Sequence, residues 1–458
     1  MENILGIKPI PKLLRQFALP SIISMLVNSV YNMVDQIFIG QKIGYLGNGA
    51  TNVTFPFVTV FLAIGLMISI GTAANVGLNL GRKNQERADR TLGNGLMLAV
   101  TAGLILVVIA QIFLVPLLKA FGATEIILPY AVDYARIYTV GTMFVMIGIV
   151  VNDEIRADGN PRYAMISMLS GAILNVILDY VLIFPLEMGV AGAALASIIG
   201  QFLTMIVALL YLRRFRTLNL RLKNLKPNPV IIRSIFILGL PSFATQIAGL
   251  AVQVIMNNQA VRYGTQSAYG PEIPLAVLGI SMKIIMIMMS LIMGTAIGAQ
   301  PIFSFNYGAE KYDRVKQLIR ICIIVTTMIG VIGVLAIQIF PAQIMAIFGQ
   351  EDPLYREFAV RALKRMTILA FVMGVQMTAN SYFQAVGKPK LSMLVSLSRQ
   401  VLFMVPLMLI LPAFFGLDGI MYSFILSDAG SAVMCSILLA REIKELKALT
   451  AKPEASSF

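Results

Sequence analysis

The 458-residue chain has no histidine, two cysteines and few charged residues, and each shortage excludes a class of protein. Without histidine, the commonest transition-metal ligand and the usual proton carrier are missing, so any proton chemistry must use carboxylates. Cys322 and Cys435 both lie in apolar segments, which predicts packing residues rather than a disulfide or a metal site. No phosphate-binding P-loop is present, which argues against ATP-driven transport and leaves no cofactor to expect.

The scarcity of charge identifies the protein class. Only 13% of residues are charged and 58% are hydrophobic, whereas a soluble domain has about 25% charged residues. The apolar segments run about 20–28 residues, which suits membrane helices rather than the shorter strands of a barrel. Residues 1–12 are short and mixed, so we expect no cleavable signal peptide.

We therefore predict an all-α polytopic membrane protein with twelve transmembrane helices, arranged as two pseudo-symmetric six-helix lobes around a central cavity. The helices are expected at residues 14–40, 52–80, 92–118, 133–157, 162–186, 190–212, 234–262, 273–305, 316–342, 358–386, 390–412 and 418–441. The predicted domains are an N-terminal lobe (1–212) with a cation site, a basic linker (213–229), a C-terminal lobe (230–445) and a tail (446–458).

Internal repeats support the two lobes. The offset between matching motifs stays between 221 and 228. Leu19-Pro20-Ser21 recurs as Leu240-Pro241-Ser242, Gly71-Thr72-Ala73 as Gly294-Thr295-Ala296, and Gly189-Val190-Ala191-Gly192 as Gly416-Leu417-Asp418-Gly419. Six helices per repeat give both lobes the same orientation, which is typical of alternating-access transporters.

Basic residues sort by side, which predicts the orientation. Of the 36 lysines and arginines, 26 lie on the connections that include the 213–229 linker. The positive-inside rule then makes both termini and the linker cytoplasmic. The net charge of +14 belongs to this pattern and predicts no nucleic-acid partner.

Four polar residues are candidates for binding a cation. Asn175 and Asp179 lie one turn apart on an otherwise apolar helix, and an ionised Asp there costs about 2.5–3.5 kcal/mol even on the mildest scale. Asp35 and Ser197 lie at a similar depth on two other helices, roughly 8–10 Å below the outer ends. The second repeat has Met256, Phe403 and Leu407 where the first has Asp35, Asn175 and Asp179. Because shared scaffold should be symmetric, this difference points to function, although Asp35 alone could be an interfacial acid.

Other features have competing interpretations. Pro20 predicts a bend in the first helix, which could be an ordinary kink or part of a mechanism. Arg399 and Asp428 lie near the mid-plane of consecutive helices, and we favour an ion pair that stabilises the C-terminal lobe over a second coupling site. The methionines at 282–293 and 366–377 suit an adaptable cavity wall or simple core filling equally well.

Taken together, these motifs resemble the multidrug and toxic compound extrusion (MATE) family, most closely its MepA-like branch. The resemblance covers about residues 10–445. It is carried by Ala18-Leu19-Pro20-Ser21, Val34-Asp35-Gln36-Ile37-Phe38-Ile39-Gly40, Arg156-Ala157-Asp158-Gly159-Asn160-Pro161, Asn175-Val176-Ile177-Leu178-Asp179 and the segment 189–197.

The resemblance implies a monomeric antiporter in a prokaryotic plasma membrane that exports cationic, amphipathic drugs in exchange for H⁺ or Na⁺. It implies that Asp35, Asn175 and Asp179 form the cation site of the N-terminal lobe, that Ser197 supplies a hydroxyl, and that Pro20 bends the first helix. The acids of a family C-lobe Na⁺ site are missing here, because the seventh and tenth helices offer only amides such as Gln253 and Gln376.

Two other functions compete with this interpretation. A flippase for lipid-linked saccharides of the same superfamily would favour a strongly cationic cavity and often fourteen helices. A membrane enzyme would need a polar catalytic loop, and the longest connection is only basic. The acids at 35 and 179 favour the exporter.

Overall fold

A computed structural model describes residues 4–346 and 353–451. The first half of the chain forms six long helices. These are α1 (Ile10–Ile43), α2 (Tyr45–Gly81), α3 (Gln85–Ala120), α4 (Leu128–Ala157), α5 (Pro161–Ile183) and α6 (Gly189–Leu210). A short 3₁₀ helix precedes them at Ile4–Gly6, and two more form the linker at Tyr211–Arg214 and Leu222–Leu225.

The second half repeats the arrangement with interruptions. Its helices are α7 (Pro229–Gly264), α8 (Glu272–Gly308), α9 (Tyr312–Ile339), α10 (Pro341–Ala346), α11 (Pro353–Thr367), α12 (Met373–Ala385), α13 (Pro389–Leu397), α14 (Val405–Phe415) and α15 (Leu417–Ala451). A π-helical segment, Ser398–Met404, joins α13 and α14 into one span. Within the described residues, eleven helical segments are long and apolar enough to cross a bilayer. The all-helical membrane fold is confirmed.

The tenth predicted span is divided, so the prediction of one continuous helix over 358–386 is wrong. α11 ends at Thr367, and the chain passes through a 3₁₀ turn, Ala370–Val372, before α12 begins. No glycine or proline lies between 367 and 373, so the break has a tertiary cause. A Cβ on Gly330 of α9 would lie 2.7 Å from the Phe371 Cα, which shows how closely the backbone of α9 approaches the break.

The C-terminal tail also differs from the prediction. α15 continues as helix to Ala451, so the first residues of the predicted tail 446–458 belong to that helix. Residues 452–458, which include Lys452, lie outside the described residues.

Asparagine–proline pairs start two of the helices. Asn160 caps α5 by accepting a hydrogen bond from the Tyr163 backbone N–H at 3.3 Å, with proline as the first helical residue. Asn228 caps α7 in the same way, accepting from the N–H of Val230 at 3.0 Å. Such caps satisfy backbone donors that a helix leaves free at its start.

The linker is part of the N-terminal half's surface rather than a free tether. Asp158, at the α4–α5 turn, is buried and accepts hydrogen bonds from the backbone N–H groups of Arg216 at 3.0 Å and Thr217 at 2.7 Å. It also accepts one from the Tyr211 hydroxyl at 3.0 Å. We call the membrane face that carries this linker and the α2–α3 and α4–α5 turns the linker face.

The two halves meet through α1 with α8 and α2 with α7. A Cβ on Gly298 would lie 2.8 Å from the Ala18 Cα, and one on Gly239 would overlap the Met67 carbonyl oxygen. Each glycine lies ten residues, about 15 Å, from the linker-face end of its helix. The halves are therefore sealed by backbone contact on the linker side.

Helix α1 packs against both halves. Near the linker face, Leu13, Leu14 and Phe17 join a core cluster with Ile302 and Phe303 of α8. Near the opposite face, Ile39 joins a cluster with Tyr134 of α4 and Ile183 of α5. Any change in the shape of α1 must therefore alter how the halves sit against each other.

The C-terminal half contains a buried ion pair. The Arg399 Nε donates to the Asp428 Oδ1 at 2.6 Å, and only 1% of the Asp428 side chain is exposed. Arg399 lies in the π-helical segment, and such segments widen a helix locally and often occur at functional positions.

We predict that Arg399→Ala is more damaging to stability than Arg399→Ala combined with Asp428→Ala. Removing arginine alone strands a buried carboxylate, at a cost of about 3–5 kcal/mol. The melting temperatures of the purified variants in detergent measure this difference. A double variant that melts below the single variant would contradict a stabilising pair.

Candidate cation site

Three helices bring the predicted site residues to within about one helical turn of the same depth. Asp35 lies on α1, Asn175 and Asp179 lie on α5, and Ser197 lies on α6. Counted from the helix ends at the face opposite the linker, Asp35 and Ser197 are about 12 Å deep and Asp179 about 6 Å. α5 packs against both α1 and α6, so the three helices form one corner of the N-terminal half.

The site residues are buried, and most of their oxygens have no donor. Exposed fractions are 7% for Asp35, 3% for Asn175 and 0% for Asp179. The Asp35 Oδ1, the Asn175 Oδ1 and both Asp179 carboxylate oxygens have no hydrogen-bond partner in the described part of the chain. The Asn175 Nδ2 donates to the Ser197 Oγ at 3.5 Å, which ties α5 to α6 and leaves the amide oxygen free.

The two acids share one electrostatic environment. Asp35 lies close enough to Asp179 that a charge on Asp35 disfavours a charge on Asp179. Within the described residues, no lysine or arginine forms an ion pair with either of them. Two like charges without a protein counter-charge require a cation or a proton.

Three tyrosines lie near the acids, and the sequence interpretation missed them. Tyr31 and Tyr134 interact electrostatically with both acids. Tyr138 stacks on Tyr134 with ring centroids 5.4 Å apart and accepts a hydrogen bond from the Gln201 Nε2 at 3.4 Å. The signal was available, because Tyr31 precedes Asp35 by four residues, as Asn175 precedes Asp179.

The equivalent corner of the C-terminal half is apolar. With the sequence offset of 221, Val252 is the repeat equivalent of Tyr31 and Met256 is that of Asp35. Both residues lie in the largest core cluster of the C-terminal half. With the offset of 227, Phe424 is the repeat equivalent of Ser197, and it lies in the same cluster. The polar set is confined to one of two equivalent positions.

The arrangement can bind a cation in two chemical forms. Carboxylate, amide and hydroxyl oxygens suit a hard cation such as Na⁺. Alternatively, a proton on either acid removes the repulsion between them. Because the unpartnered atoms are all acceptors, the residues fit both cations.

A further buried acid lies outside this site. Glu154 of α4 is fully buried, and neither carboxylate oxygen has a partner in the described part of the chain. It lies near the linker-face end of α4, next to Asp153, which pairs with Arg156. The sequence interpretation did not single it out, although a charged run at a helix end was visible.

Comparisons with known proteins identify the family. A family model described as MatE matches residues 20–181 and 241–410, and the two segments begin at Pro20 and its repeat partner Pro241. The multidrug export protein MepA of Staphylococcus haemolyticus is 26% identical over 433 residues, covering 93% of each chain.

Solved structures resemble the whole chain. The MATE multidrug transporter DinF-BH, solved in complex with R6G, is 32% identical, with a TM-score of 0.87 over 95% of this chain and 96% of that one. A multidrug resistance MATE transporter of the MOP superfamily in its outward-facing conformation is 22% identical, with a TM-score of 0.91 over 98% and 100%.

The family model covers more than two thirds of the chain, and the relatives match it along nearly its whole length. The chain is therefore a multi-pass membrane transport protein that belongs to the MATE (MatE) family.

Proposed function

We propose that the protein exports cationic, amphipathic compounds in exchange for inward H⁺ or Na⁺, and that Asp35, Asn175, Asp179 and Ser197 form its coupling site. The observation that carries this proposal is the set of buried acceptor oxygens without donors. A relative named as a multidrug exporter and a structural neighbour with a bound dye support the substrate class.

The position of the seal supports the direction of transport. The halves are in backbone contact on the linker side, whereas the site lies toward the opposite face. With the linker face cytoplasmic, as the basic residues favour, the site loads from outside. Inward movement of that cation then drives export from a prokaryotic plasma membrane.

The methionine groups divide between core and surface. Met288, Met289, Met366 and Met373 are buried in the main cluster of the C-terminal half, whereas Met286 is 55% exposed. Core filling therefore accounts for much of the methionine content, and the proposed substrate class does not depend on a methionine-lined wall.

Helix α1 connects cation loading to the two halves. Pro20 has no backbone N–H, so the Gln16 carbonyl lacks its helical partner at this point. Asp35 lies on the part of α1 that packs on the N-terminal half, and Phe17 lies on the part that packs on the C-terminal half. A bend at Pro20 would therefore let loading at Asp35 shift one half against the other.

We predict that Asp35→Asn and Asp179→Asn each abolish gradient-driven efflux while the protein still folds. An amide keeps the shape of the side chain but binds no proton and supplies no charge for Na⁺. The assay is efflux of a fluorescent organic cation from proteoliposomes with an imposed pH or Na⁺ gradient. Asp133→Asn, on an exposed acid of α4 at the same membrane face, is the matched control. Full transport by either site variant would overturn the assignment.

We also predict that cation and drug compete. Drug affinity measured in detergent should fall as the pH is lowered or Na⁺ is added, by up to about tenfold per pH unit for one competing proton. Binding of the drug should release protons or displace Na⁺. Drug affinity that is independent of both pH and Na⁺ would contradict coupling at this site. Transport of a lipid-linked saccharide in place of the dye would favour the flippase.

For the helix bend, we predict that Pro20→Ala leaves drug affinity near that of the wild type but slows turnover. Alanine restores the hydrogen bond to the Gln16 carbonyl and stiffens α1. Pro241→Ala is the matched control, because Pro241 holds the equivalent place in α7, and the Met256 position there carries no acid. Equal slowing by both variants would show that the prolines are shared scaffold and not a coupling device.

A further inference from the structure

A groove on the linker face is formed by the starts of α3 and α7. It has a volume of about 360 Å³ and is lined by Asn84, Glu86, Arg87, Arg90, Asn228, Val230 and Ile231. This volume lies within the usual range of small-ligand sites, about 300–1,000 Å³. It lies far from the cation site, because both helices begin at the linker face.

The walls of the groove are held in place by one buried asparagine. The Asn94 Oδ1 accepts a hydrogen bond from the Asn228 backbone N–H at 2.8 Å. Its Nδ2 donates to the carbonyl oxygens of Asn224 at 3.3 Å and Lys226 at 3.2 Å. These bonds fix the start of α7 against α3, so the groove is preformed.

The groove is positively charged. Arg90 pairs with Glu86 at 2.8 Å, whereas the Arg87 guanidinium has no ion pair or hydrogen bond in the described part of the chain. Arg87 and Arg90 are three residues apart and share a face of α3. The N-termini of both helices add partial positive charge. Among the described residues that line the groove, Glu86 is the one acid, and it pairs with Arg90.

The groove also has an apolar side that leads into the membrane. Val230 is 67% exposed, and Ile237, two turns further along the same face of α7, is 42% exposed. A small soluble anion would make no apolar contact with these side chains, whereas the acyl chain of a lipid would cover them.

We propose that this groove binds an anionic phospholipid of the leaflet at the linker face, with its phosphate at Arg87 and Arg90 and an acyl chain along Val230 and Ile237. Basic pockets between membrane helices recognise such headgroups, and each arginine near the surface strengthens binding to an anionic lipid. The binding is independent of the proposed cation coupling.

The test compares phosphatidylglycerol with phosphatidylcholine of the same acyl chains, added to the purified full chain in detergent. Native mass spectrometry counts bound lipid, and thermal unfolding measures stabilisation. The variant is Arg87→Gln with Arg90→Gln. The control is Arg213→Gln with Arg214→Gln, which removes the same charge from exposed positions of the same face outside the groove.

We expect the groove variant to bind phosphatidylglycerol roughly 25-fold more weakly, about fivefold for each arginine. Its melting temperature without lipid should match that of the wild type, because both side chains are exposed. The control should keep wild-type affinity, and Arg87→Gln alone should weaken binding about fivefold.

Three results would overturn the proposal. Equal losses in the groove variant and the control would show diffuse surface attraction. Equal binding of phosphatidylcholine and phosphatidylglycerol would remove the role of charge. Stabilisation by inorganic phosphate or glycerol phosphate as large as that by phosphatidylglycerol would assign the groove to a soluble anion.

Discussion

The cost of burying a carboxylate without a donor is the constraint on which this structure depends. Asp179 is fully buried, neither of its carboxylate oxygens has a hydrogen-bond partner among the described residues, and Asp35 lies close enough to disfavour a charge on it. A buried charge of this kind is tolerated only with a compensating partner. Within the described residues no lysine or arginine forms an ion pair with either acid, so the proposed function takes the compensating cation from solution. The proposed site would then alternate between a loaded and an unloaded state.

In the C-terminal half, the charge of a buried acid is balanced by a side chain of the protein itself. Asp428 occupies the position equivalent to Gln201, and Arg399 neutralises it at 2.6 Å. A pair that contains both charges needs no cation from outside and can act as fixed structure. Two halves of shared design thus differ in whether their buried acid is balanced by the protein or by the solution. Under the proposed function, the acids of the N-terminal half would respond to an ion gradient, whereas the Arg399–Asp428 pair would stay fixed.

Much of this could be predicted from the sequence, because it depends on local patterns. Long apolar runs and the repeat led to the helical membrane fold, and a spacing of four residues placed Asn175 beside Asp179. The break between α11 and α12 could not be predicted, because it arises from the close approach of Gly330 to Phe371 rather than from a local breaker. The docking of the linker on Asp158 was hidden for the same reason, since its donors are backbone groups of distant residues.

Helix α1 carries Asp35 and also packs against both halves of the protein. Its two ends belong to different cores, so it cannot follow both halves if they move apart. A straight, fully hydrogen-bonded helix would resist that separation along its whole length. Pro20 removes one hydrogen bond within the part of α1 that packs on α8, and this packing continues beyond Pro20 to Ser29, whose hydroxyl lies 2.7 Å from that of Ser290. Asp35 lies further along the same helix, so under the proposed coupling a cation bound there would act on the outer part of α1. In the second half, Pro241 provides the same weak point in α7, but Met256 provides no charge to act on it.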